Sequence, residues 1–249
     1  MQTDMDLVLF AGQSNMAGRG SSKDAPAVEE GGGYEFRAIS DPTVLHPIAE
    51  PFGVNENKPG GINEEGMKTG SLVSALVKAY HERAGRIIVG VSASKGGTEI
   101  SEWQKDGILL PDAIERFRTA EAWLTDNGYS IGHRWMVWCQ GETDGDRGTS
   151  KTDYKIKLAS LLSEIQAAGI EHTFLIRIGN HRDDRERYVG IMEAQTEFCK
   201  TEPQITLIAT AFDQMASEGL MHDEFHYTQA GYNKCGTQAG SNLADWQMN

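Results

Sequence analysis

Four clusters in this chain hold residues whose types and spacing could do chemistry. The first is Phe10-Ala-Gly-Gln-Ser14-Asn-Met-Ala-Gly-Arg-Gly20, which closes a short apolar run. A serine just past the carboxyl end of a strand can present its hydroxyl at the top of a sheet. The backbone N–H groups that follow can face an anion. Taken alone, Ser14 reads more simply as a helix N-cap among turn glycines. The second cluster is Val91-Ser-Ala-Ser-Lys-Gly96-Gly97-Thr-Glu-Ile-Ser-Glu-Trp103. Paired glycines either let the backbone approach a ligand closely or simply turn the chain. The third is Trp138-Cys-Gln140-Gly-Glu142-Thr-Asp144. Gln140 could donate a side-chain N–H to an oxyanion. Glu142 and Asp144 could brace loops, touch substrate or lie in a solvated loop. The fourth is His222-Asp223-Glu-Phe-His226-Tyr-Thr-Gln-Ala-Gly-Tyr232. Asp223, three residues before His226, can orient the imidazole of its own turn. The pair His222 and His226 also invites zinc. However, the zinc-protease motif is His-Glu-x-x-His on a helix, and here an Asp stands at 223 in a turn-like context. No metal site is expected. Nucleophile, oxyanion donors, base and orienter are thus all available, which is the equipment of acyl transfer.

These clusters need elements to position them. Five apolar, β-branched-rich runs stand out: Leu7–Ala11, Ile87–Val91, Trp135–Cys139, Thr173–Ile178 and Ile205–Ala211. Each is near-continuously apolar rather than alternating, as for strands buried on both faces of a parallel sheet. Helical spacing lies between them, at Leu72 to Tyr80, Ala113 to Leu124 and Leu158 to Ile165, with weaker helices at Val189–Cys199 and Ala230–Trp246. Strand and helix alternate, which predicts a doubly wound α/β/α sandwich in a single domain spanning 1–249. The chemical clusters then sit at the carboxyl ends of separate strands, where open α/β sheets bind ligands. One stretch breaks the rhythm. Gly18 to Met67 is rich in Gly, Pro, Asn and Glu, and reads as a long loop helping to wall a pocket.

Charge and composition narrow the partners. The chain has 249 residues and a net charge of −13, from 36 acidic and 23 basic residues. A basic footprint for nucleic acid is missing, and an anionic membrane surface would repel the chain. No apolar stretch approaches the roughly 20 residues of a membrane span. The start is acidic and polar rather than a basic leader, so the chain as given reads as cytoplasmic, unless a leader was removed. Three widely spaced cysteines, Cys139, Cys199 and Cys235, give neither a disulfide framework nor a Cys-x-x-Cys metal site.

The four clusters, in this order, resemble the four blocks of SGNH hydrolases. They are most similar to the sialate O-acetylesterase and acetylxylan esterase branch, carbohydrate esterase family 6. Gly-Gln-Ser-Asn-Met together with Gln-Gly-Glu carries the likeness to that branch, and the blocks run from residue 10 to 232. The resemblance implies a flavodoxin-like α/β/α fold with a parallel five-stranded sheet in the order 2-1-3-4-5. It implies Ser14 as nucleophile, His226 as general base and acid, and Asp223 as its orienting partner. The implied oxyanion hole is the Ser14 N–H, an N–H of Gly96 or Gly97, and the Gln140 side chain, where the wider superfamily carries Asn. Asn15, Arg19, Trp103 and Glu142 are the candidates to touch substrate. A cationic group for a sialate carboxylate would come from Arg19, Lys95 or Arg177. The implied activity is removal of O-acetyl groups from an acetylated carbohydrate through an acetyl-serine, with no cofactor. The acidity favours a neutral sugar ester over an anionic one. The rival readings are an SGNH lipase or thioesterase and a non-catalytic carbohydrate-binding protein. The cysteines become spectators.

Overall fold

The computed structural model describes residues 4–249. Its sheet is built on β1 (Met5–Gly12), β4 (Ile87–Ser94), β5 (Ile131–Cys139), β6 (His172–Ile176) and β7 (Ile205–Ala209), all paired in parallel. These are the five apolar runs, in the order β4-β1-β5-β6-β7. β1 is central and every one of its residues is buried. Its side chains alternate between two cores. Leu7, Leu9 and Ala11 pack with Phe117, Leu158, Leu161 and Ile191 on one face. Val8 and Phe10 pack with Leu76, Tyr80, Tyr232 and Leu243 on the other. The first core is covered by α3 (Leu109–Asp126), α5 (Lys151–Ala167) and α6 (Val189–Thr201), and the second by α2 (Val73–Ala84) and α7 (Gln229–Met248). A strand flanked by two apolar layers must be apolar throughout, which is why these runs do not alternate in sequence.

Two expectations need correction. The sheet has seven strands and is mixed, not five-stranded and parallel. The stretch 18–67 is also not simply a loop. It contributes β2 (Gly33–Arg37), parallel to β4, and β3 (Asp41–Pro47), which folds back antiparallel on β2 and forms the sheet's edge. β3 is mostly exposed and carries Pro42 and Pro47, as suits an edge strand. It also lacks the apolar run by which a buried strand is recognised. The rest of the stretch, after β3, returns over the carboxyl ends of β1 and β4.

Candidate active site

β1 ends at Gly12, with φ +135°; a Cβ there would lie 2.0 Å from the Cys139 carbonyl oxygen. Only glycine lets the chain leave the sheet this close to β5. Gln13 follows in extended conformation, and Ser14 opens the four-residue α1 (Ser14–Ala17). Ser14 is therefore the first helical residue rather than the N-cap, and Gln13 makes no side-chain cap. The Gln13 amide oxygen instead accepts from the Gly141 N–H at 3.0 Å, tying the turn after β1 to the turn after β5.

The last loop before α7 brings the second half of the site. His222 N–H donates to the His226 carbonyl at 2.8 Å, closing a tight loop. Within it Asp223 Oδ1 accepts from the N–H groups of Phe225 (3.0 Å) and His226 (2.7 Å). Asp223 Oδ2 lies 2.8 Å from His226 Nδ1, and His226 Nε2 lies 2.9 Å from Ser14 Oγ. Burial works to raise the Asp223 carboxyl, but the two N–H donors and the imidazole outweigh it and bring it down to about 2. Asp223 is thus an anion that fixes the proton of His226 on Nδ1 and leaves Nε2 as the acceptor facing Ser14. Burial lowers the His226 pKa, against the pull of Asp223, with Arg19 and His222 adding to the decrease. His222 is exposed, and its Nδ1 lies 3.5 Å from Asp223 Oδ2, the oxygen that His226 Nδ1 meets at 2.8 Å.

Ser14 and His226 open on a cleft of about 310 Å³, lined also by Gln13, Arg19, Glu64, Gly97, Glu142 and Thr143. The two paired glycines differ in their hydrogen bonding. Gly96 N–H donates to Glu64 Oε1 at 2.8 Å, whereas among the described residues neither Ser14 N–H nor Gly97 N–H has a partner. Gly97 has φ +69°, a conformation that favours glycine. The Gln140 expectation is not met. Its Nε2 donates to the Thr98 carbonyl at 2.9 Å and to Asp144 Oδ2, and its Oε1 accepts from Tyr154 at 3.2 Å. Gln140 is fully buried and braces the Thr98 turn from beneath, with both amide hydrogens committed.

The candidate substrate contacts divide. Trp103 is buried, donates to Thr98 Oγ1 at 3.0 Å and packs edge-on against Trp138, so it belongs to the core. Asn15 is also fully buried. Its Nδ2 donates to Glu142 Oε1 (2.6 Å) and to the Phe225 carbonyl (3.0 Å), and its Oδ1 accepts from Tyr232 (2.7 Å). It joins α1 to the loop that carries His226 instead of facing a ligand. Arg19 and Glu142 do line the cleft. Arg19 Nη2 pairs with Glu64 Oε2 at 2.5 Å, while Nη1 donates to the carbonyls of Gly18 and Met67. Lys95 donates to the Asn63 carbonyl, and Arg177 is paired with Asp213, neither of them lining this cleft. Burial pushes the Glu142 carboxyl up to about 7; Asp146 and Asp144 add to this, against the Asn15 hydrogen bond.

Glu64 is the participant that sequence reading missed. It sits in the irregular stretch Asn63-Glu-Glu-Gly66 and lies 32 residues from Gly96, with no periodicity to mark it. None of the three cysteines lines the cleft.

The mostly parallel sheet thus carries Ser14 after its central strand and the Asp223-x-x-His226 loop before its last helix. Residues 4–245 match the family Carbohydrate esterase, sialic acid-specific acetylesterase, and the chain belongs to that family. It is a carboxylic ester hydrolase. Solved structures share the fold. A protein from Arabidopsis thaliana is 19% identical, with a TM-score of 0.68 over 99% of this chain and 98% of its own. NanS is 12% identical, with a TM-score of 0.65 over 100% and 99%. A carbohydrate acetylesterase from Xanthomonas citri is 15% identical, with a TM-score of 0.63 over 96% of this chain and 55% of its own. No curated protein matches the chain.

Proposed function

We propose that this protein is a serine esterase that removes O-acetyl groups from neutral acetylated carbohydrates through an acetyl-serine intermediate. The observation that carries the reading is the unbroken line Asp223 Oδ2, His226 Nδ1, His226 Nε2, Ser14 Oγ, with links of 2.8 and 2.9 Å at the cleft wall. Ser14 Oγ attacks the acetyl carbonyl while His226 Nε2 takes its proton. Asp223 holds the tautomer and stabilises the imidazolium. The N–H groups of Ser14 and Gly97 face the developing oxyanion. His226 then returns the proton to the leaving sugar hydroxyl. Water, activated in its turn by His226, releases acetate from Ser14.

Two features support the substrate class. The cleft is small, about 310 Å³, and most of its lining residues are polar or charged by type, which favours a short acyl group over the apolar channel a lipase needs. Its lining cation, Arg19, is already matched by Glu64, while Glu142 and Asp146 add further carboxyl groups. A carboxylate-bearing sugar such as a sialate would meet no unpaired cation among these lining residues. The test is acetate release from acetylated xylan, acetylated neutral monosaccharides and acetylated sialic acid, alongside a chain-length series of p-nitrophenyl esters. Turnover of neutral acetyl esters with labelling of Ser14 by an organophosphate is expected. A preference for long acyl chains would favour the lipase reading, and an unlabelled, inactive protein the non-catalytic one.

A further inference from the structure

One wall of the cleft is α4 (Glu142–Arg147), and it carries two polar side chains for which the proton relay has no use. Thr143 and Asp146 both line the cleft with Ser14, Gly97 and His226. They stand three residues apart on one helix, so their side chains are neighbours on the same face. Both are accessible: Thr143 is half-buried and Asp146 is exposed.

Hydrogen-bond polarity fixes what Thr143 offers. The Gln13 amide oxygen accepts from the backbone N–H groups of Gly141 at 3.0 Å and of Thr143 at 3.4 Å. An NH2 group could not face two N–H donors, so the amide has one orientation. Its Nε2 then meets Thr143 Oγ1 at 3.3 Å, and an NH2 group only donates. The hydroxyl is therefore the acceptor in that contact, and its own hydrogen has no partner among the described residues. Asp146 offers the complement. Its Oδ1 accepts from Tyr188 at 3.1 Å and lies 3.4 Å from Arg187 Nε, while Oδ2 has no hydrogen-bond partner among the described residues. The two anchors, Gln13 and Tyr188, are themselves buried. The valence that Thr143 and Asp146 each have left therefore lies on the open side, which is the cleft.

A hydroxyl donor thus stands beside a carboxylate acceptor at the mouth of an esterase site. An ester group offers acceptors alone and cannot answer both. A free hydroxyl can: its oxygen accepts from Thr143 and its hydrogen goes to Asp146. We propose that Thr143 and Asp146 bind a free hydroxyl of the sugar next to the acetylated one, so that the preferred substrate is a partly acetylated sugar with that hydroxyl bare. Neither residue moves a proton in the reaction; they set which ester is held against Ser14. A site built to pair a hydroxyl rejects the analogue that lacks it, because its own polar groups give up water and gain no partner. The neighbouring polar groups of the wall are already committed, Arg19 to Glu64 and Glu142 to Asn15.

The proposal deepens the esterase reading and rests on it, and the test separates the two. The substrates are a methyl xyloside acetylated on the middle ring hydroxyl, which leaves a free hydroxyl on either side, and the two deoxy analogues that lack one or the other. The readout is the ratio of kcat/KM for the parent ester to that for each analogue, so a change common to all the esters cancels. In the wild type one of the two ratios should be ~10 or more. Thr143→Val keeps the shape without the hydroxyl and should lower that ratio ~2–10-fold, and Asp146→Ala should lower it ~10–100-fold. Thr143→Ser keeps the hydroxyl and loses the methyl group; it should hold the ratio within about twofold, the reverse of what a space-filling role would give. A Val variant with the wild-type ratio, or a Ser variant as low as the Val variant, overturns the proposal. Should the variants fail to fold, the wild type decides alone: ratios near one for both analogues overturn it. Organophosphate labelling runs alongside. If wild-type Ser14 is not labelled, the esterase reading falls and this proposal with it; if it is labelled and the ratios do not move, only the role of Thr143 and Asp146 falls.

Discussion

Gly96 N–H and Glu64 Oε1 are joined at 2.8 Å, and this one bond leaves Gly97 as the glycine of the pair whose N–H has no partner among the described residues. The same carboxylate holds Arg19 with its other oxygen. Glu64 therefore does two things at once: it closes a backbone donor and neutralises Arg19, the cation that lines the cleft with Ser14.

Glu64→Gln should separate these. The amide oxygen can still accept from Gly96, but Arg19 loses its counter-charge. Activity on a neutral acetyl ester should change little. The ratio of kcat/KM for an acetylated anionic sugar to that for a neutral one should rise severalfold. An unchanged ratio would mean that Arg19 does not set the charge preference.

Ser14→Ala removes the attacking atom and nothing that supports the fold, since its hydroxyl contacts only His226. Turnover of p-nitrophenyl acetate should vanish while circular dichroism and the melting temperature stay at wild-type values. Retained turnover would remove Ser14 from its role.

His226→Ala removes the general base and should cost ~10²–10⁴ in kcat. Asp223→Asn keeps a group beside Nδ1 but loses the charge, so its loss should be smaller. Equal losses would mean that Asp223 does more than orient the ring. Because burial lowers the His226 pKa, the neutral, active imidazole persists below its ordinary 6.5. The acid limb of the rate profile should therefore lie below that value. A midpoint above it would contradict the buried geometry.

Gln140→Ala is a different kind of change. Its amide satisfies the Thr98 carbonyl and Asp144, and its own carbonyl accepts from Tyr154. Leaving such buried groups unpaired costs about 1–3 kcal/mol each. At this chain length that is roughly 2–4 °C in Tm per kcal/mol. Thermal melts should show the loss directly. A stable variant with a collapsed kcat would restore Gln140 to the oxyanion hole.

Glu142 also links stability to pH. Its folded pKa is raised to about 7 from an ordinary 4.5. The folded state binds the proton more tightly, so this contribution is full below pH 4.5 and is lost as pH rises through 7, up to about 3 kcal/mol in all. Glu142→Gln removes the dependence. The Tm of the variant relative to wild type should climb between pH 5 and pH 8, and a constant difference would show that Glu142 ionises at its ordinary value.

What could be read from the sequence follows from how local each signal is. The five core strands are legible because Leu7–Ala11 and its counterparts are apolar on both faces, which few other elements require. Asp223 and His226 are legible because three residues of one loop carry the whole relationship. β2 and β3 escape notice: β2 has only Tyr34 and Phe36 as apolar side chains, β3 only Val44 and Leu45 between prolines, and β3 pairs along β2 alone. Gln140 is legible by residue type, but where its amide points is decided by the turn at Gly141, with φ +150°, and by Tyr154 from a later helix. The Glu64 contact with Gly96 spans 32 residues and has no local trace at all.

The relay between Ser14 and His226 spans 212 residues, and β1 lies between two strands that both come later in the chain. Such non-local pairing makes for slow folding. The proposed nucleophile, Ser14, has no base until the 212 residues that separate it from His226 have been made and packed. On the proposed mechanism, partly folded forms should lack hydrolytic power, and the return of esterase activity during refolding should mark the docking of the loop that carries His226 rather than the collapse of the sheet.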